Sequence, residues 1–238
     1  MEPYRLEYKV LASDTDPNRR LRLSRLFTLL QEAAIAHTEA LGFGREKTLD
    51  RGFLWVVTHI QLKIHRLPEY DERVLLESVP GQTMHSLYPR YSRLTGADGS
   101  TLLTASAIWT LMDQKTRTMA DPAETGVEIE GMEADWDCGF PRAPKAPAAG
   151  PAELWTVPYS YTDLNGHMNN ARYLDLAEDR LPEALRDRPL RELLVEYAAE
   201  LRLGETVRLC RQAEENSFRI AGSTQKRVFR INFEYRSN

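Results

Sequence analysis

The feature that most constrains this chain is that its pattern begins twice. With Val10 laid on Val157, an offset of 147, Ser13 meets Ser160, Thr15 meets Thr162, Asp16 meets Asp163 and Asn18 meets Asn165. Further along, Arg25 meets Arg172 and Leu29 meets Leu176. The shared S-x-T-D-x-N lies at the same junction in each half, between a strand pattern and a helix pattern. A chain built this way is expected to fold as two copies of one unit. Its 238 residues suit one large domain or two small units packed together, and 42% hydrophobic residues supply a core that needs neither disulfides nor metals.

Each copy reads as α+β. In the first, Tyr4, Leu6, Tyr8 and Val10 alternate with polar residues, predicting a strand over 3–11. A helix is expected from Ser24, as N-cap, to Leu41, with Gly42 as its stop. Leu26, Leu29, Leu30, Ala33, Ala34, His37 and Leu41 share one face at helical spacing. Strands follow near 53–66, 72–81, 85–95 and 101–113, rich in β-branched and aromatic residues. The stretch PRAPKAPAAGP at 141–151 has no periodicity and reads as a linker. The order then restarts: a strand over 154–161, a turn, a helix from Ala171 to about Leu181 before Pro182, and strands over 193–202, 205–212, 215–223 and 227–236. The expected organisation is an N-terminal unit at 1–135, a linker at 136–153 and a C-terminal unit at 154–238.

The copies differ where chemistry is possible. The second holds Gly166, His167, Asn169 and Asn170 where the first has Arg19, Arg20, Arg22 and Leu23. Asp163, Asn165 and His167 put a carboxylate, a carboxamide and an imidazole within five residues, where a loop enters a helix. Free backbone N–H groups at a helix start stabilise developing negative charge. A carboxylate there suits water activation or direct attack on a carbonyl, and an imidazole suits proton transfer near neutral pH. Asp, Asn and Gly are also ordinary turn residues, and Asn169 or Asn170 is a natural helix N-cap. The asymmetry favours one active site, in the second half.

Bulk properties exclude several classes. The formal net charge of −4 argues against non-specific nucleic-acid binding. Cys138 and Cys210 are far apart and outside any CxxC pattern, so neither a zinc site nor a disulfide framework is expected, and a reducing cytoplasm is the expected compartment. No run approaches the roughly 20 apolar residues of a membrane span, and the N-terminus lacks the pattern of a signal peptide. There is no Gly-rich phosphate loop and no HExxH spacing, so no metal or other cofactor is expected.

The stretch Asp163-x-Asn165-x-His167-Met168-Asn169-Asn170-Ala171-Arg172-Tyr173 resembles the D-x-N-x-H-V-N-N-x-K-Y signature of acyl-acyl-carrier-protein thioesterases. Glu196-Tyr197-Ala198-Ala199-Glu200-Leu201 resembles the E-Y-x-x-E-C segment of that family. In the first half, Trp109 to Arg117 resembles its W-x-x-M-[ND]-x-x-T-R strand and turn, and Leu30-Gln31-Glu32-Ala33-Ala34 its central helix. The resemblance covers nearly the whole chain. It implies a tandem double hot-dog, two antiparallel sheets each wrapping a central helix, and hydrolysis of a fatty acyl thioester in fatty acid biosynthesis. It further implies that Asp163, Asn165, His167 and Glu200 are catalytic. Leu201 stands where plant members carry a cysteine, so a cysteine nucleophile at that position is excluded and the bacterial type is implied. The implied chemistry has Glu200 and His167 orient or deprotonate water, Asp163 hold that network or attack directly, and Asn165 donate to the carbonyl oxygen.

The same resemblance places the acyl chain in an apolar cavity of the first half, for which Phe27, Leu30, Ile35, Phe53, Trp55, Val57, Trp109 and Leu111 are candidates. Trp55, Trp109, Asn169, Asn170 and Arg172 are taken as substrate-binding, with Arg172 beside the motif as a contact for an acidic carrier protein. Arg19, Arg20, Arg22 and Arg25 form a second basic cluster. The rival readings are an acyl-CoA thioesterase with the same residues, a hot-dog dehydratase that keeps the thioester intact, and a non-catalytic acyl-binding protein. A duplicated hot-dog supplies internally the pairing that single ones gain by dimerising, which allows a monomer or a homodimer.

Overall fold

The computed structural model describes residues 1–136, 139–148 and 150–237; Cys138 lies outside them. The first copy forms β1 (Tyr4–Lys9), α1 (Leu23–Ala40), β2 (Phe53–Ile64), β3 (Arg73–Pro80), β4 (Tyr88–Gly96), β5 (Thr101–Asp113) and a short α2 (Pro122–Thr125). The second forms β6 (Ala152–Thr156), α3 (Arg172–Glu178), a short α4 (Glu183–Arg186), β7 (Leu190–Tyr197), β8 (Thr206–Glu214), β9 (Ser217–Ser223) and β10 (Arg227–Tyr235).

Strand order reveals the duplication directly. The sheet runs β1-β3-β4-β5-β2-β7-β10-β9-β8-β6. Read outward from its middle, each half has its second, fifth, fourth, third and first strand in turn. This is the tandem double hot-dog, with its two sheets joined into one. The seam is the antiparallel pair β2–β7, in register from His59 opposite Glu196 to Lys63 opposite Glu192. Leu62 and Leu193 face each other there, both fully buried. The apolar cluster runs through both copies without a break, from Leu26 and Leu30 on α1 to Leu174 and Ala177 on α3.

The helical face expected on α1 is the buried one, except that Leu41 falls on the C-cap and is only half-buried. The start of α1 differs from expectation. Ser24 lies inside the first turn and is buried, while Arg22 is the N-cap with no side-chain capping bond. Leu21 and Leu23 are both buried. Burying a leucine is worth about 2 kcal/mol, more than the roughly 1 kcal/mol of a good cap, so packing fixes the entry point. α3 stops at Glu178, short of Leu181. Arg180 and Leu181 continue in tighter i→i−3 turns toward Pro182, which disfavours helical geometry in the residue before it. β7 ends at Tyr197, because the amides of Ala198 and Ala199 both turn to the carbonyl of Val228. Glu200 therefore sits beyond the strand, in the connection to β8. The strand of the second copy begins earlier than expected and gives way to a turn at Tyr159–Tyr161.

The stretch 139–148 crosses the sheet. Its Arg142 amide donates to Gln61 on β2, the Arg142 side chain pairs with Glu192 on β7, and the Ala148 amide donates to Gln212 on β8. Gln61 alternates with Ile60, whose side faces α1, so this segment covers the face away from the helices. Among the described residues no helix is long and apolar enough to cross a membrane.

Candidate active site

The turn at 162–168 is wound around one carboxylate. Asp163 Oδ1 accepts the amides of Asn165 at 2.8 Å and His167 at 3.3 Å, and the Asp163 amide donates to the carbonyl of His167 at 2.8 Å. Gly166 closes the turn at φ +74°, a left-handed conformation that glycine adopts without strain. Met168 donates to the carbonyl of Leu201, and His167 bridges Arg202, which clips the turn to the segment after β7. That clip brings Glu200 to His167: Nε2 lies 3.4 Å from Glu200 Oε2.

The first copy repeats the main bonds of this turn. Asp16 Oδ1 accepts the amide of Arg20 at 2.8 Å, the Asp16 amide donates to the carbonyl of Arg20, and Leu21 donates to Pro68 as Met168 does to Leu201. Arg19 takes the left-handed position of Gly166, at φ +63°. The equivalence puts Arg20 in place of His167 and Leu67 in place of Glu200. Arg20 salt-bridges Asp16 at 2.9 Å and reaches the carbonyl of Arg186 beyond it, while Asn18 bonds Asp187. The first turn keeps the scaffold and has lost its proton-transfer groups.

Asp163, Asn165, His167 and Glu200 line one open cleft of about 760 Å³, and Trp55 and Asn170 line it with them. Its walls come from both copies: Leu54 to His59 of β2 on one side, Tyr173 and Glu196 to Glu200 on the other. Burial holds the His167 imidazole below its ordinary pKa, which Arg117 and Arg202 reinforce against the opposing charge of Asp163. The ring is therefore neutral at pH 7 and able to accept a proton. Asp163 Oδ2 has no hydrogen-bond partner among the described residues.

Two parts of the expected site are arranged differently. The backbone amides of Asn165, Gly166, His167, Met168 and Asn169 are all bonded within the turn and its clip, because the Asp163 carboxylate and nearby carbonyls take them. α3 begins only at Arg172. The amides of 165–169 are thus not available to a carbonyl oxygen, and the Asn165 side chain is exposed in the cleft to donate to one. Asn169 and Arg172 are not on the cleft. They line a separate polar groove with Asp14, Asp175 and Glu178, where Asn169 Oδ1 accepts the amide of Ala171 and Arg172 pairs with Asp175 at 2.8 Å. The Arg20 and Arg25 side chains are likewise engaged, with Asp16 and with Tyr8 and Asp14.

Arg117, which ends the W-x-x-M-D-x-x-T-R stretch, joins the site without being among the residues expected there. It follows β5 of the first copy, yet its guanidinium forms a close ion pair with Glu200 of the second. Its backbone is left-handed at φ +58°, a conformation that costs a non-glycine residue about 1 kcal/mol. The Asp113 carboxylate wraps the turn that imposes it, accepting the amides of Lys115 and Thr116. The signal available in sequence was the arginine closing a tight turn.

An apolar chamber of about 260 Å³ adjoins the cleft and shares Leu54, Trp55 and Asn165 with it. Ile35, Phe53, Tyr88 and Trp109 line its interior, and a small void deeper under α1 adds Phe27, Leu30 and Val57. Of the expected acyl-pocket residues, Leu111 alone touches neither space; it is fully buried in a satellite core.

Comparison with known proteins follows the same division. Residues 2–128 match the family described as acyl-ACP thioesterase N-terminal domain, and residues 145–236 match acyl-ACP thioesterase C-terminal domain. The chain is similar to the chloroplastic acyl-[acyl-carrier-protein] hydrolase FATB2 of Cuphea viscosissima, 26% identical over 213 residues, covering 83% of this chain and 52% of that protein. It thus spans about half the length of the curated relatives it matches. Among solved structures it is similar to an acyl-ACP thioesterase from Bacteroides thetaiotaomicron, with a TM-score of 0.86 and 21% identity over 98% of this chain and 97% of that one. It is also similar to a 12:0-ACP thioesterase from Umbellularia californica, with a TM-score of 0.79 and 18% identity over 99% and 98% of the two chains. At these identities the structural likeness speaks to the fold.

Proposed function

From the premise that this chain belongs to the acyl-ACP thioesterase family, we propose that it hydrolyses the thioester of a fatty acyl chain carried on acyl carrier protein, releasing free fatty acid in fatty acid biosynthesis. The observation that carries this reading is the meeting of Asp163, Asn165, His167 and Glu200 in one cleft that adjoins an apolar chamber, with Asn165 lining both. The chamber takes the acyl chain, with Trp55 at the boundary. The thioester carbonyl then lies in the cleft within reach of the Asn165 amide. A well-placed side-chain donor to the oxyanion is worth about 3 kcal/mol of barrier.

Glu200 and neutral His167 hold and deprotonate the attacking water, the proton passing to the imidazole and then to the leaving thiolate. Asp163 serves in one of two ways: it fixes the turn that presents His167, or its Oδ2 attacks to form a mixed anhydride that water then opens. Labelled solvent oxygen found in Asp163 after a single turnover supports attack; its absence supports the fixing role. The scarcity of cysteines fits a cytoplasmic enzyme, and the internally completed site fits a monomer or a homodimer.

The test is free-thiol release from long-chain acyl carrier protein by wild type, Asp163→Ala and His167→Ala. Release by wild type and a loss of at least 100-fold in both folded variants is expected. Binding without thiol release sinks the hydrolase reading. Faster release from matched acyl-CoA than from acyl carrier protein reassigns the donor.

A further inference from the structure

Arg90 lies on β4, and its guanidinium is almost wholly enclosed, with the residue 6% exposed. It pairs with no carboxylate among the described residues. Nη1 donates to His37 Nδ1 at 3.1 Å and to Ser78 Oγ at 3.2 Å, and Nη2 donates to Thr38 Oγ1 at 3.1 Å. All three acceptors are neutral, since burial and the Arg90 charge itself hold His37 below its ordinary pKa. A guanidinium has five N–H donors, of which three find partners among the described residues. Enclosure without an anion lowers even this group's pKa, to about 10.

This cation lines both the apolar chamber and the void beneath α1. So does Trp109, whose indole N–H is buried with no hydrogen-bond partner among the described residues. The two residues are near neighbours on the wall: Arg90 pairs in register with Ala107, two residues from Trp109 on the same face of β5. The order β4-β5-β2 sets Arg90 two strands, or about 10 Å across the sheet, from β2, whose Leu54 and Trp55 line both chamber and cleft; β5, between them, also borders the cleft through Ile108, Thr110 and Met112. A purely hydrocarbon chain pressed into this end would leave these N–H groups without an acceptor, whereas an oxygen placed there would supply one.

We propose that the chamber is built for acyl chains that carry an oxygen acceptor far from the thioester, such as a hydroxyl near the chain end, received by Arg90 and Trp109. The proposal rests on the chamber being the acyl site and names the class of chain it selects. A site that hydrogen-bonds a substrate oxygen discriminates against the chain lacking it, whereas a plain apolar pocket disfavours a hydroxyl.

The experiment measures kcat/KM on acyl-pantetheine thioesters of graded length, each as the plain chain and as its ω-hydroxy counterpart. Wild type is expected to favour the hydroxylated member at least tenfold at one length or more. Arg90→Met should bring that ratio to one or below, and Trp109→Phe, which keeps a ring and removes only the N–H, should lower it severalfold. Plain chains favoured at every length by wild type would overturn the proposal, whatever becomes of the folding of the Arg90 variant. Should no thioester release thiol, the hydrolase reading fails by itself. Calorimetric binding of methyl ω-hydroxydecanoate against methyl decanoate then decides the chamber: tighter binding of the hydroxylated ester, lost in Trp109→Phe, upholds it, and equal or weaker binding overturns it.

Discussion

Replacing Arg117 by Gln tests whether the site spans the two copies as an energetic unit. Arg117 and Glu200 form an ion pair whose side chains are 35% and 33% exposed. Fully exposed pairs are worth about 0.2–1 kcal/mol, and breaking a fully buried one costs about 3–5 kcal/mol. A pair one-third exposed on each side falls between, at about 1–2 kcal/mol, or roughly 5–30-fold in rate. Because Glu200 acts with His167 on the reacting water, the loss should fall on kcat and leave KM within about twofold. A second readout follows from charge. Arg117 helps hold the His167 pKa down, so its removal should move the acid limb of the kcat–pH profile to higher pH. The assay is a double-mutant cycle of Arg117→Gln with Glu200→Gln on acyl carrier protein substrate. Additive losses, within the 0.3–0.5 kcal/mol typical of independent sites, would refute the reasoning. Arg117→Gly is the control for structure: it removes the same side chain but relieves the left-handed backbone, so it should slow turnover while leaving the thermal midpoint near that of wild type.

Two more outcomes concern stability and pH. Burial raises the Glu178 carboxyl from 4.5 to about 8, with Asp175 and Asp16 adding to it. Its contribution to stability is complete below pH 4.5 and is lost as pH rises through 8. The half-buried side chain keeps some solvation, so the loss at pH 7 should be about 1–3 kcal/mol, and Glu178→Gln should raise the thermal midpoint above pH 7 and flatten its alkaline slope. Identical slopes in the two proteins would contradict this. His37, His59 and His167 are all depressed, each chiefly by burial. Their contribution is present above pH 6.5 and is lost as pH falls below it, where the unfolded chain takes up protons first. In the Glu178→Gln background the midpoint should therefore drop between pH 7 and pH 5, and a flat or rising curve would count against neutral buried histidines.

What the sequence made legible was local. The repeated S-x-T-D-x-N prescribes the same carboxylate-centred turn twice, and the structure reproduces it down to the amides that bond Asp16 and Asp163. The period of α1 marked its buried face for the same reason: each residue's direction follows from its neighbours. What stayed hidden was set by contacts distant in the chain. Glu200 and Leu67 occupy equivalent places, but α3 and β7 are shorter than α1 and β2, so the offset of 147 that aligns the turns does not align these two. Arg117 meets Glu200 only after β5 and β7 are both in place beside β2. Ser24 looked like a cap because capping is local, and it lost to the burial of Leu21 and Leu23. The placement of Arg172 on the polar groove, away from the cleft, likewise depends on how α3 lies against α1.

The seam between β2 and β7 also has a meaning in time. A chain emerging from the ribosome completes β2 at Ile64 and reaches Leu190, where β7 begins, only after a further stretch of about 125 residues. At synthesis rates of about 5–20 residues per second, that is roughly 6–25 s. During this interval the first copy can pair its own five strands, yet one side of β2, the stretch that carries Ile60 and Leu62, has no ladder partner. Such an edge is a template for wrong pairing, including with the β2 of a neighbouring nascent chain. Expression yield should thus be limited by this waiting period more than by the stability of the finished protein. Supplying the second copy as a separate, earlier-made polypeptide should raise the soluble yield of the first.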